Sequence, residues 1–385
     1  MAAVVTFFPV CNGDMTLIQL ESGRTILIDI NIRQPGDDVR DVAKDLRDRL
    51  KTDSAGRPYV DAMLLSHPDQ DHCRGLEEHF HLGPLSDYKE PKDDKPKKIV
   101  IRQMWSSPMV FRRACKSHTL CSDAKAWNTE ARRRVKLFRD SHAAGDGDRI
   151  LILGEDENGK TDDLGAILVK VNQKISTVNG WFDNSFKGLL LAPMPKGTDE
   201  EEETRSKNQS SVIMQFAIAH GFATEACKFL SGGDAEVAIW ERIWKDNKDD
   251  TSKIEYDLLQ TPHHCSWHSL SWDSWSDKGE EVKVSADARS ALGQARNGAY
   301  IIASSKEICD DDSDPPCVRA EREYKDILKG INGSFVNTAT HKDKDGPVPM
   351  EFEVAADGPV LRKVEKKASA VAAPAVVGTQ PLWHG

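Results

Sequence analysis

Apolar runs closed by short polar clusters recur along the chain. Val4 to Val10 reads as a strand, Cys11-Asn12-Gly13-Asp14 as a turn, Met15 to Leu20 as a second strand and Thr25 to Ile30 as a third. Val39, Val42, Leu46 and Leu50 fall at helical spacing, so residues 36–51 predict a helix. Tyr59 to Leu65 is apolar enough for a buried strand, and a helix starts near Gly75. Further on, residues 98–101, 148–153, 212–219, 227–230, 257–261 and 300–304 predict strands, and 123–142, 235–245 and 319–329 predict helices. Residues 334–338 and 348–354 are candidate closing strands. Strands alternating with helices define an α/β chain.

Charged stretches near 85–98 and 196–207 interrupt this pattern as loop insertions. They do not separate independent cores, so residues 1–362 are expected to form one domain. Residues 363–385 turn Ala/Val/Pro/Gly-rich and predict a disordered tail. No apolar run is long enough to span a membrane, and the N-terminus has no basic segment ahead of an apolar one. Eight scattered cysteines without a CxxC pair fit a reduced compartment, so a cytoplasmic location is expected. The formal charge of -10 argues against a general nucleic-acid coat or an anionic-membrane binder. The helix at 123–142 is the basic exception; Arg132, Arg133 and Arg134 are candidate contacts for a polyanion.

The chemistry concentrates at strand ends. His67, Asp69, Asp71 and His72 arrive within six positions directly after the Tyr59–Leu65 run, with Pro68 marking a loop. Imidazole nitrogen and carboxylate oxygen are ligands for zinc, manganese or iron. A second strand end carries Gly232-Gly233-Asp234, and a third carries Pro262-His263-His264-Cys265-Ser266. Asp14 and Asp29 border apolar strands, as turn carboxylates or as groups that orient ligands. The cysteines are assigned no role; Cys265, beside a candidate site, is the one worth watching.

Three such strand ends resemble the metallo-β-lactamase fold, an αββα sandwich of two mixed sheets packed face to face with helices outside. The family signature is H-x-H-x-D-H; His67, Asp69, Asp71 and His72 give H-x-D-x-D-H. That variant is similar to the soluble domain of the competence DNA-uptake channel (ComEC) family. Val10 to Asp14, Ile26 to Asp29, Asn208 to Val212, Leu230 to Asp234, Leu258 to Ser266 and Ala299 to Ser304 resemble further segments of that family, in order. The resemblance implies metal ligands at His67, Asp69, Asp71, His72, Asp234 and His264, and substrate contacts at Asn208, Ser210 and Ser266. It departs at Cys265, which replaces a glycine, and at Asp314-Pro315-Pro316-Cys317, where the family has a late histidine.

The expected function is a metal-dependent hydrolase, first of all a phosphodiesterase or nuclease, with one or two zinc or manganese ions. A bound ion lowers the pKa of its water toward 7 and supplies hydroxide. Asp71, His263 and His264 are the candidate catalytic residues. The substrate is a phosphodiester or another small hydrolysable molecule, with nucleic acid as one option and no membrane partner. An ester, lactone or amide hydrolase, or a non-catalytic binding module, are the competing readings.

Overall fold

The computed structural model describes residues 1–36, 39–92, 95–111, 120–156, 159–193 and 211–364. The insertion at 196–207, the candidate contacts Asn208 and Ser210, and residues 365–385 of the expected tail lie outside the described residues.

Two mixed sheets form the centre. The first is built on β1 (Val4–Phe7), β2 (Thr16–Gln19), β3 (Thr25–Ile28), β4 (Pro58–Leu65), β5 (Ile99–Ser106) and β6 (Arg149–Leu153). The second is built on β7 (Phe186–Ala192), β8 (Ile213–His220), β9 (Ala223–Ser231), β10 (Tyr256–Gln260), β11 (Ala295–Ala303) and β12 (Ser334–Asn337). Strand β13 (Met350–Ala355) returns to pair antiparallel with β1, and β14 (Gly358–Leu361) closes that edge. Each sheet has an antiparallel half and a parallel half. Strands β1, β2 and β3 run antiparallel, whereas β3, β4, β5 and β6 run parallel. Likewise β7, β8 and β9 are antiparallel, and β9 to β12 are parallel.

Burial on both faces explains why β4 reads as a continuous apolar run rather than an alternating one. One face of each sheet meets the other sheet: Phe7, Ile26, Ile28, Ala62 and Leu64 pack with Met214, Phe216, Phe229, Leu258 and Ile302. Phe7 and Phe229 stack edge to face across the layers, centroids 5.5 Å apart. The outer face of the first sheet is covered by α1 (Val42–Arg47) and by the helix Ser122–Ser141, through Leu46, Trp127, Ala131 and Val135. Helices Val237–Asn247, Ala286–Leu292 and Val318–Ile327 cover the second sheet through Trp240, Ile243, Leu292 and Tyr324. The order of layers is therefore helix, sheet, sheet, helix.

Two expectations are corrected. The helix foreseen over 36–51 is only Val42–Arg47, because Lys51 and Thr52 leave it to pair antiparallel with Tyr59 and Pro58 at the edge of β4. On the basic helix the three candidate arginines are not alike: Arg132 is exposed, Arg133 is half-buried and Arg134 is buried. Arg134 is 1% exposed and donates to Glu130 and to the carbonyls of Ile101 and Arg149. Arg133 donates to Glu130 and Asp148, and Arg139 to Asp163. Arg134 thereby ties the helix to the first sheet, and Arg133 and Arg139 pair within the helix or with adjoining loops.

Candidate metal centre

The parallel halves of both sheets present their C-terminal ends at one edge, the usual position for sites in α/β sheets. Asp29 follows β3, Ser66 and His67 follow β4, Asp234 follows β9, and His263 and His264 follow β10. Asp14 comes from the β1–β2 turn. Cross-sheet hydrogen bonds fasten this edge: Val212 N–H donates to the Ser66 carbonyl (2.9 Å), Ser304 Oγ to the Gly13 carbonyl (2.7 Å), and Thr16 Oγ1 to Gln260 Oε1 (2.9 Å).

The backbone is contorted where the ligand types sit. Asp29 has φ of 53°, and His263, His264 and Cys265 have φ of 49°, 53° and 70° in succession. Three consecutive non-glycine residues in the left-handed region are uncommon and carry strain. They are held by His263 N–H to the Gly233 carbonyl, Cys265 N–H to the Pro262 carbonyl and Cys317 N–H to the Cys265 carbonyl. Cys265 thus occupies the conformation that a glycine would take more easily. It is fully buried, and burial pushes its thiol up, so it is no nucleophile. Gly233, at φ of 49°, lets the chain pass Ser66 and Ser211; a Cβ there would lie 3.1–3.2 Å from their side chains.

Asp14, His72, Asp234 and His264 each offer one atom to a group within 4.8 Å of one another, all buried. His72 Nε2 lies 3.0 Å from Asp234 Oδ1, and His264 Nδ1 lies 3.3 Å from Asp14 Oδ1. His264 Nε2 lies 3.3 Å from Asp71 Oδ2 and 3.5 Å from Asp234 Oδ1. Across the same carboxylate, His67 Nε2 is 3.4 Å from Asp234 Oδ2 and 3.9 Å from Asp69 Oδ2. His263 Nε2 is 3.9 Å from Asp234 Oδ2. Asp234 therefore sits between His72 and His264 on one side and His67 and His263 on the other.

These approaches are close, yet several of the atoms have no hydrogen-bond partner. Asp14 Oδ1, His67 Nε2, His72 Nε2, Asp234 Oδ1 and both ring nitrogens of His264 are buried without one. Each such atom costs about 1–3 kcal/mol when left unmatched. A divalent ion satisfies several at once. Ligand atoms of a tetrahedral zinc lie about 3.4 Å apart, so the contacts at 3.0–3.5 Å already match, and the widest separations, within 4.8 Å, would close by up to about 1.4 Å around an ion. The donor set, carboxylate oxygen and imidazole nitrogen, fits zinc or manganese.

The far side of His72 is fixed. Its Nδ1 lies 2.8 Å from Asp29 Oδ2, and Asp29 in turn accepts Ser66 N–H (2.7 Å) and Ser66 Oγ–H (2.5 Å). This is the carboxylate–histidine arrangement that sets the tautomer of a metal ligand.

Charge follows the geometry. Burial opposes a charged His72, but Asp234 and Asp29 outweigh it and hold the imidazole well above its usual range. His264 is likewise pushed up to about 10 against burial, by Asp234, Asp14 and Asp71. Burial would raise the Asp71 and Asp234 carboxyls, yet the surrounding histidines hold both well below the usual range. His263 differs: burial lowers it, so it is neutral near pH 7. The cluster of acids calls for positive charge at its centre.

The floor of the site is closed and its mouth is open. Side chains of Asp14, His72, Asp234 and His264 are at most 4% exposed, whereas Asp69, Asp71 and His263 are 26%, 35% and 18% exposed. Of the residues expected from the sequence, His67, Asp69, Asp71, His72, Asp234, His263 and His264 converge here. Ser266 does not face the mouth: it is fully buried and its Oγ accepts the His268 N–H at 3.1 Å. Asp14 enters the ligand group itself. Its only sequence signal was an Asn-Gly-Asp turn that resembles the opening segment of the channel family. In place of the late histidine, the chain brings Asp314, which accepts the Trp267 N–H at 3.0 Å, and Pro315, whose carbonyl accepts Asn12 Nδ2 at 3.0 Å.

No family model matches the chain, and no curated protein matches it. Solved structures that match include the crystal structure of unliganded yeast PDE1, with 12% identity over 88% of this chain and 98% of that chain and a TM-score of 0.38. A likeness that remote has no bearing on the chemistry. Among the described residues, no helix is long and apolar enough to cross a membrane.

Proposed function

We propose that the chain is a metal-dependent hydrolase of the metallo-β-lactamase type, acting on a small phosphodiester. The observation that carries this is the convergence of buried, unmatched imidazole and carboxylate atoms from both sheets on one point beneath an open mouth. The helix–sheet–sheet–helix layering and the H-x-D-x-D-H loop support the superfamily reading.

Asp14, His72, Asp234 and His264 would hold one ion; His67 and Asp69, sharing Asp234, are the candidates for a second. A bound ion supplies Lewis acidity and a water acidified toward pH 7. The chain's own residues do the rest. Asp71 stays ionised and partly open to solvent, so it can accept a hydrogen bond from an attacking water and orient it. Neutral His263 at the mouth presents an N–H to a substrate oxygen. The -10 charge, and the arginines tied up in ion pairs, favour a small substrate over a polynucleotide.

The test is hydrolysis of bis(p-nitrophenyl) phosphate with added manganese or zinc, for wild type and Asp71→Ala. Turnover in the wild type and its loss in the variant support the proposal. Metal binding without turnover would move the substrate to an ester, lactone or amide.

A further inference from the structure

Directly behind the candidate centre, two thiols from different elements face each other. Cys73 ends the short helix α2 (Gln70–Cys73), which carries Asp71 and His72. Cys121 caps the helix Ser122–Ser141, with Sγ accepting the Ala124 N–H. Their sulfurs are 3.6 Å apart. A disulfide needs about 2.05 Å, so the pair must close by about 1.5 Å. The surrounding backbone is already docked. Asp123 Oδ2 accepts Gly75 N–H and Oδ1 accepts Glu77 N–H, both at 2.9 Å, which pins the chain after Cys73 to the start of the long helix. Ile30 and Asn31 pair with Cys73 and Arg74 on the other side. The two sulfurs also differ in access: Cys73 is buried and Cys121 is partly exposed.

We propose that Cys73 and Cys121 form a reversible disulfide, a modification site that fastens α2 to the long helix. The oxidant is a low-molecular-weight disulfide. The Cys121 sulfur attacks one of its sulfurs, and one small thiol leaves with a proton. The Cys73 sulfur then displaces the second small thiol from Cys121. The two cysteines lose two electrons and two protons in all, and the small disulfide becomes two thiols. Because the bond closes the chain from 73 to 121, it restricts the unfolded state and stabilises the fold. It does not depend on the hydrolase reading, since its test reads a covalent bond.

The experiment treats the reduced, full-length protein with oxidised glutathione at neutral pH. It reads intact mass, non-reducing peptide maps and thermal unfolding. The expected result is a mass loss of two hydrogens, a Cys73–Cys121 linked peptide, and a raised Tm that dithiothreitol reverses. Cys121→Ser shows none of these. Should that variant fail to fold, the wild-type peptide map decides alone. A glutathione adduct that persists on Cys121, a link through another cysteine, or no reaction overturns the proposal.

Discussion

Asp29 decides which way His72 points. Its Oδ1 accepts the Ser66 N–H, its Oδ2 accepts the Ser66 Oγ–H and also meets His72 Nδ1, and His72 Nε2 then faces Asp234. Asp29→Asn removes the charged partner, and metal affinity should fall about 10–100-fold, measured by competition with a chelator. An unchanged affinity would remove Asp29 from the account. Gly13 acts by leaving room. At φ of 149°, a Cβ would sit 2.1 Å from Asn31 Nδ2 and 2.8 Å from the Asp71 carbonyl oxygen. Gly13→Ala should lower stability by about 1–3 kcal/mol and reduce metal content, seen in a denaturant melt and an elemental assay. At this scale the His67–His72 loop was legible in the sequence, because four ligand types follow one buried strand. Asp14 was not. A lone carboxylate in a turn looks the same whether it caps the turn or reaches a metal; only the pairing of β1 with β2, and Asp14 N–H to the Asp71 carbonyl, bring it in. Cys265 and Ser266 show the converse, being placed by motif but turned inward by the left-handed run of the loop.

Among the elements, the strands read best where both faces are buried, as in β4 and β8, because burial forces a continuous apolar run. Strand β7 was missed although Leu189-Leu190-Leu191 lies in it and turn residues flank it, Asp183-Asn184-Ser185 before and Pro193 after. The basic helix was read correctly as a helix; of its candidate polyanion contacts Arg132 is exposed, whereas Arg134 is buried. Periodicity counts charges but cannot see Glu130 buried between Arg133 and Arg134. Glu130→Gln leaves the buried Arg134 without its counter-charge and should cost about 3–5 kcal/mol at pH 7. The pH dependence has a defined sign. Burial would raise Glu130, but Arg133 and Arg134 hold it below its ordinary value of 4.5. Its contribution is full above that value and disappears as pH falls through the lower folded value. Denaturant melts of both proteins should therefore converge toward acid pH; a gap that persists there would contradict the pairing.

For the whole molecule, the candidate centre joins the two sheets. Asp14 and His72 belong to the first and Asp234 and His264 to the second. Binding there stabilises only the folded chain, by about 2.7 kcal/mol at a hundredfold excess over Kd. Zinc or manganese should raise Tm in the wild type and not in His264→Ala. The layering was legible from the alternation of strands and helices, whereas the meeting of three strand ends at one edge follows from parallel pairing, which no local pattern encodes. The most direct test is the metal content of protein purified from medium supplied with zinc and manganese, compared with Asp234→Asn. The account predicts at least one tightly held divalent ion per chain in the wild type, lost in the variant while its circular dichroism is retained. A metal-free wild type, or a variant that keeps its full complement, would contradict it.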